Sequence, residues 1–340
     1  MNDINDKYML RALELARHAT GTTTPNPMVG AVIAGPDGTI IGEGYTSPPG
    51  GPHAEVNAVN SVADPKALKD ATMYVTLEPC SHWGRTPPCA EMIIRAGIPR
   101  VVVGAVDPFD KVSGRGITML RDAGVEVATG VMAEESRRIN AFFFTAHTLR
   151  RPFVTLKWAQ SRDRYIDIRR DPAVTPPAAI STAVTRLMTH RLRSLHDAVI
   201  VGSSTVIADN PRLDTRFWPW RKPLPVILDR RRRIGPEWRV TRSEHLIMSE
   251  CNDIASLLST LYTRHGITSV LVEGGAEVLR SFIASGLWDA ARVETSPVVF
   301  GDRGGVTAPV LELKPVMSVT VGPNTFSFYS QNELVDVKNL

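Results

Sequence analysis

Along residues 6–19, DKYMLRALELARHA, the apolar residues Met9, Leu10, Leu13 and Ala16 recur at helical spacing, which predicts an amphipathic opening helix. Two short apolar runs follow, 28–34 and 39–45, separated by Gly35-Pro36-Asp37-Gly38. That tetrad favours a tight reversal, so the pair is expected to form an antiparallel hairpin. The pattern then alternates: helix 53–62, strand 72–77, helix 89–96, strand 101–106, helix 116–123, strand 125–131. Such alternation implies a largely parallel sheet covered on both faces by helices, a three-layer α/β/α domain.

Residues 141–152 interrupt this rhythm with Phe142-Phe143-Phe144, then Arg150-Arg151 and a proline. A domain boundary is expected near residue 148, dividing the chain into 1–147 and 148–340. The second half alternates again, with strands at 153–158, 198–201, 225–228, 246–248 and 269–272 and helices at 182–194, 254–265 and 276–285. From Val293 onward the segments read as strands without intervening helices, as in an α/β fold finished by antiparallel strands.

With 340 residues the chain suits two domains, each large enough to bury a core. A composition of 43% hydrophobic and 22% charged residues is that of a globular protein. The net charge of +4 is mild. Its densest basic run, Arg230 to Arg233, follows an expected strand as a turn does, and no aromatic residues interleave with it. A small phosphorylated ligand fits this charge better than a nucleic acid. The opening MNDINDKYML is acidic where a secretory signal is basic, and no apolar run reaches membrane-spanning length, so no membrane role is expected. The expected location is the cytoplasm, and a homo-oligomer is admissible. Three cysteines, at 80, 89 and 251, are too few for a disulfide framework.

The first two cysteines have a better use. His53-Ala54-Glu55 is followed by Glu78-Pro79-Cys80 at the end of an expected strand and by Cys89 nine residues later. One imidazole and two thiolates fill three corners of a tetrahedral zinc site and leave the fourth open to water, the arrangement of a catalytic centre. Zinc so held activates water for attack on an electron-poor ring carbon bearing an amino group. Glu55, two residues from His53 at a helix start, is placed to carry protons without ligating the metal. Cys80 and Cys89 are each expected at or near a helix N-terminus, where peptide dipoles favour thiolates. Taken singly, an HAE tripeptide and a Cys-x8-Cys spacing are also what a helix-capping histidine and two buried thiols produce. Their order, each at an element boundary, favours catalytic zinc.

These residues belong to longer stretches, TPNPMVGAVI (24–33), HAEVNA (53–58), TLEPCSHWGRTPPC (76–89) and DPFDKVSGRG (107–116). In them the chain closely resembles the bifunctional deaminase–reductases of riboflavin biosynthesis. The resemblance implies a cytidine-deaminase-like domain, zinc on His53, Cys80 and Cys89, and Glu55 as proton carrier. It also implies Asn26 against the pyrimidine or ribose and Arg85 near the substrate phosphate. Thr46 stands where many members carry a histidine.

In the second half, Lys157, Ser161 and Asp163, HRLRSLHDAVIVGSSTVIADNPRLDTR (190–216) and VEGGAEVL (272–279) are similar to the reductase half of that family. The resemblance implies a fold like that of dihydrofolate reductase and the use of NADPH. Thr205 and Asp209 are implied to face NADPH, and Arg193, Leu213 and Arg216 the substrate. Gly274 and Gly275, between an expected strand and helix, are placed to offer amides to a dinucleotide phosphate. The segment 205–216 is expected to run as one loop. The implied sequence of reactions is deamination of 2,5-diamino-6-(5-phosphoribosylamino)pyrimidin-4-one and then reduction of its ribosyl group to ribityl, with Asp209 the foremost acid–base candidate.

Departures are heavier here. Arg164 stands where the family commonly has glycine, Ala179 where it commonly has tryptophan, and Arg230 where many members have serine. A glycine lost can block a close backbone approach, and an indole lost removes contact area. Three rivals follow: a deaminase with an impaired reductase, a zinc deaminase of nucleic-acid bases, and a non-catalytic zinc-stabilised scaffold.

Overall fold

The computed structural model describes residues 3–83, 87–109 and 113–331. The chain divides into two compact units, Met1–Leu149 and Arg150–Leu340. In the first, the elements in order are α1 (Asp3–Arg17), β1 (Gly30–Ala34), β2 (Ile40–Tyr45), α2 (Ala54–Asn60), β3 (Thr72–Leu77), α3 (Cys89–Ala96), β4 (Arg100–Ala105), α4 (Arg115–Asp122), β5 (Glu126–Thr129), α5 (Ala133–Ile139) and α6 (Ala141–Leu149).

The sheet order is β2-β1-β3-β4-β5. β3, β4 and β5 are parallel, whereas β1 runs antiparallel to both neighbours. Every residue of β1 is buried, as a strand covered on both faces requires. The β1–β2 hairpin turns through Gly38 at φ +81°, as its sequence predicts. Helices α2, α3 and α4 bury Ala54, Ala58, Ile93 and Leu120 against one face. Helix α1 buries Tyr8, Met9, Ala12 and Leu15 against the other, which completes the three layers.

The approach of α2 to β2 is unusually close. A methyl group on Gly44 would lie 2.5 Å from the Ala54 carbonyl oxygen and 2.4 Å from the Ala58 nitrogen, so the bare glycine lets this helix rest directly on the strand. Strand registers then gather one edge. Ala31 pairs Val75 and Gly30 pairs Tyr45, so the segments before β1, after β2 and after β3 all emerge together.

The second unit contains β6 (Phe153–Gln160), β7 (Tyr165–Ile168), α7 (Ala183–Leu195), β8 (Ala198–Gly202), α8 (Ser203–Asp209), β9 (Leu224–Leu228), β10 (Leu246–Met248), α9 (Ile254–His265), β11 (Ser269–Val272), α10 (Ala276–Ser285), β12 (Ala290–Thr295), β13 (Gly304–Thr307), β14 (Met317–Val321) and β15 (Asn324–Ser330). Its main sheet has the order β10-β9-β8-β11-β6-β12-β15-β14, and β13 pairs β7 separately. Strands β10 through β12 are parallel, and β15 and β14 close the sheet antiparallel. Leu257, Leu261, Leu279 and Phe282 of α9 and α10 cover one face of this sheet.

Residues 141–149, to which the sequence pattern assigns no element, form helix α6; three consecutive phenylalanines hide its period in the sequence. One sequence expectation is corrected here. The 205–216 segment is not one loop, since 203–209 form α8 and only the rest is irregular. Its polar Ser203-Ser204-Thr205 start suits a cap or a turn as readily as a helix.

Candidate active sites

In the first unit, His53 is the N-cap of α2 and Cys89 the first residue of α3. Cys80 starts no helix of its own; it lies in the segment leaving β3. A helix start reaches it through space instead, because the Cys89 backbone N–H donates to Cys80 Sγ at 3.3 Å. The donor atoms of His53, Cys80 and Cys89 lie within 4.8 Å of one another. His53 Nδ1 is 3.7 Å from Cys80 Sγ and 3.4 Å from Cys89 Sγ. A tetrahedral ion with zinc–sulfur and zinc–nitrogen bonds of about 2.3 and 2.05 Å separates such ligands by about 3.6 Å. The donor set therefore fits zinc in chemistry and in spacing.

The electrostatics agree. The hydrogen bond between the two thiols holds Cys80 down at about 4 and pushes Cys89 up. Bonding to Cys80 raises His53 to about 9. Glu55 is 3% exposed, and burial followed by the neighbouring Cys80 charge pushes its carboxyl up to about 7. A carboxyl of that value takes up and gives back a proton near neutrality.

Asn26 is exposed at the gathered edge, where its N–H donates to the Thr23 carbonyl at 2.8 Å. Arg85 lies outside the described residues. Thr46 is buried and turned inward: its Oγ1 accepts from the Val29 N–H at 3.0 Å. A framework bond to Val29, just before β1, thus occupies this hydroxyl.

In the second unit, β8, β9 and β11 present their carboxyl ends together, Gly202 opposite Leu228 and Val272 opposite Ile200. Ligands of open α/β sheets bind at such an edge. The structure brings Thr205 and Gly275 together there: a methyl on Gly275 would lie 2.8 Å from Thr205 Oγ1. Gly275 has φ +37° and Gly274 packs against Val201 and Val278, so this turn is held to glycine. Asp209, one helical turn beyond Thr205, is ion-paired at 2.5 Å with the buried Arg170, which also holds Asp167. That latch weighs against Asp209 as a freely exchanging acid.

Arg193 on α7 is largely buried and makes a two-pronged bond to Glu273, 2.5 and 2.9 Å, with a third to the Asp214 carbonyl at 3.1 Å. Arg193 and Lys157 lower Glu273 to about 2, overriding the opposing effect of its burial. Burial pushes Lys157 below its usual value against the attraction of Glu273. Arg216 is paired with Asp214 and lies 4.8 Å over the Phe217 ring. Leu213 is buried, 4% exposed, with φ +53°.

Sequence reasoning missed Glu273 and Arg170 because ion-pair partners distant in sequence leave no local pattern. The arginine at 164 is accommodated in the left-handed region, φ +64°, and its carbonyl accepts from Ala308 at 2.8 Å. Arg230 to Arg232 form an exposed turn, and Arg233 donates to Ser203 and Ser204 at 2.9 Å. No helix among the described residues is long and apolar enough to cross a membrane.

Known proteins share this architecture. Residues 2–105 match the cytidine and deoxycytidylate deaminase zinc-binding region, and residues 152–326 match the RibD C-terminal domain. The riboflavin biosynthesis protein RibD of Aquifex aeolicus is 40% identical over 329 residues, 89% of each chain. That of Escherichia coli is 36% identical over 346 residues, 91% of this chain and 92% of its own. A crystal structure of a diaminohydroxyphosphoribosylaminopyrimidine deaminase/5-amino-6-(5-phosphoribosylamino)uracil reductase from Thermotoga maritima superposes with a TM-score of 0.83 at 35% identity, covering 96% of this chain and 98% of that one. RibD of Acinetobacter baumannii reaches 0.86 at 31% identity with the same coverage. Two units, one with a zinc-binding deaminase motif and one with the reductase fold that uses NADPH, place the chain in the bifunctional deaminase–reductase family of riboflavin biosynthesis.

Proposed function

We propose that residues 1–147 deaminate 2,5-diamino-6-(5-phosphoribosylamino)pyrimidin-4-one and that residues 148–340 reduce the ribosyl group of the product to ribityl. The observation that carries the first half is the convergence of His53, Cys80 and Cys89 beside a buried Glu55. Those three side chains hold zinc, which when bound makes a water molecule nucleophilic near neutral pH. Glu55 takes a proton from the attacking water on its carboxylate and delivers one to the departing amino nitrogen. The ring carbon gains oxygen, its bond to nitrogen breaks, and ammonia leaves. Asn26 contacts the pyrimidine or ribose, and Arg85 the phosphate, as a guanidinium fork suits.

In the second half, NADPH when bound supplies hydride to the sugar carbon of the ring-opened imine. Thr205, Asp209, Gly274 and Gly275 face the cofactor, supported by the approach of Gly275 to Thr205. Arg193, Leu213 and Arg216 face the substrate, with Arg193 held in place by Glu273. The partners are small molecules, not nucleic acid or membrane, and the enzyme works in the cytoplasm; the mild charge supports this reading.

One incubation tests both halves: zinc-loaded protein, the diaminopyrimidinone nucleotide and NADPH, with ammonia and NADPH oxidation followed separately. Glu55→Gln is expected to cut ammonia release by about 10²–10⁴-fold while zinc content holds. Undiminished release by this variant refutes the role of Glu55, and ammonia without NADPH consumption refutes the reductase half.

A further inference from the structure

The stretch DPFDKVSGRG, residues 107–116, has no part in the roles above, and a buried carboxylate accounts for it. Glu78 sits between the end of β3 and Pro79-Cys80 and is 4% exposed. No salt bridge among the described residues reaches it, and a buried charge without a partner is costly. Four backbone N–H groups compensate. Oε2 accepts from Asp107 at 3.2 Å and Gly114 at 2.9 Å, while Oε1 accepts from Gly116 at 2.9 Å and Ile117 at 3.3 Å.

Three of these donors, on Gly114, Gly116 and Ile117, belong to the cap and first turn of α4, where N–H groups have no acceptor within the helix. The positive end of the helix dipole adds to their attraction for an anion. The next residue is clamped to the same turn: a methyl on Gly116 would lie 2.0 Å from the Pro79 carbonyl oxygen, which only glycine allows. Asp107 shapes the other wall by accepting from the Phe109 N–H at 2.8 Å, and the Phe109 ring meets His147 of α6 edge-on at 5.0 Å.

We propose that Glu78 is a positioning residue for the metal centre. Its carboxylate, seated in a socket of four N–H groups from Asp107, Gly114, Gly116 and Ile117, sets the Pro79–Cys80 segment before any ion arrives. Cys80 leaves β3 without a helix or strand of its own, so this socket fixes its Sγ at 3.7 Å from His53 Nδ1. Glu78 itself ligates nothing. A ligand held in place by its surroundings loses little freedom on binding the ion, and loosening such support weakens metal affinity. The inference rests on the reading that His53, Cys80 and Cys89 hold zinc.

The test is zinc competition against a chromophoric chelator with the full-length metal-free chain, together with the thiolate-to-metal absorption of the cobalt form. Glu78→Gln keeps the shape but turns an amide NH₂ toward two N–H donors, and it is expected to weaken zinc by about tenfold or more. Gly114→Ala leaves the carboxylate in place and has open space for the methyl, but φ is +79°, so a smaller loss is expected. Met9→Ala, a core truncation on the opposite face of the sheet, should leave affinity unchanged even if it lowers the melting temperature.

A folded Glu78→Gln variant with wild-type zinc affinity and cobalt spectrum overturns the proposal. Should that variant fail to fold, wild-type affinity in Gly114→Ala overturns it equally, as does an affinity loss in Met9→Ala matching that of the socket variants. Cys80→Ser separates the two layers: tight zinc binding retained in that variant defeats the metal reading itself, not the socket.

Discussion

His196 offers a pH-dependent stability change whose direction follows from its burial. It closes α7, the helix that carries Arg193, and has no solvent exposure. Its Nδ1 lies 2.9 Å from the Leu192 carbonyl, which can only accept, so Nδ1 carries the proton; Nε2 lies 2.8 Å from Thr155 Oγ1 and accepts from that hydroxyl. Burial holds the imidazole neutral and lowers it from 6.5 to about 4. Between these values the unfolded chain binds a proton that the folded chain refuses. The stabilisation is complete above pH 6.5, falls as pH drops through the window, and is lost below about 4. At about 1.4 kcal/mol per pH unit, the total is about 3 kcal/mol. For a unit of this size that corresponds to about 6–12 °C in melting temperature. The assay is melting of the full chain followed by tryptophan fluorescence from pH 4 to 8, since the buried Trp158 and Trp288 both lie in the second unit. His196→Gln removes the titration, so its stability should fall less steeply between pH 6.5 and 4, by about one proton's worth of slope. Parallel pH profiles for wild type and variant would refute the reasoning.

Three further outcomes are expected. Cys89→Ser should abolish stoichiometric zinc retention on dialysis and ammonia release with it, since a hydroxyl replaces the thiolate ligand at the start of α3. Arg193→Ala strands the buried Glu273 carboxylate and should lower stability by about 3–5 kcal/mol in denaturant titration, with Arg193→Lys recovering part of it because one prong remains. Gly44→Ala brings a methyl within 2.5 Å of the α2 backbone, which must lift His53 and Glu55 from their places; zinc affinity and deamination should fall together, while NADPH binding, read by fluorescence titration, is unchanged.

By itself the sequence determined the class of both halves and pointed to the residues of the candidate metal centre. Period-two and period-3.6 patterns are local, so β3, α3, α9 and α10 follow from their own residues, end to end. Cysteine and histidine are rare and chemically distinctive, so His53, Cys80 and Cys89 were legible from order and type. Only the tertiary structure decided what surrounds them. It brought the start of α3 against Cys80 although Cys80 begins no helix, and it joined Glu78 to a loop some thirty residues away. It also turned Thr46 inward, latched Asp209 to Arg170, and buried Arg193 against Glu273. The physical reason is common to all of these: a hydrogen bond or an ion pair depends on distance in space, and strand register and helix packing bring such partners together without leaving a local mark in the chain.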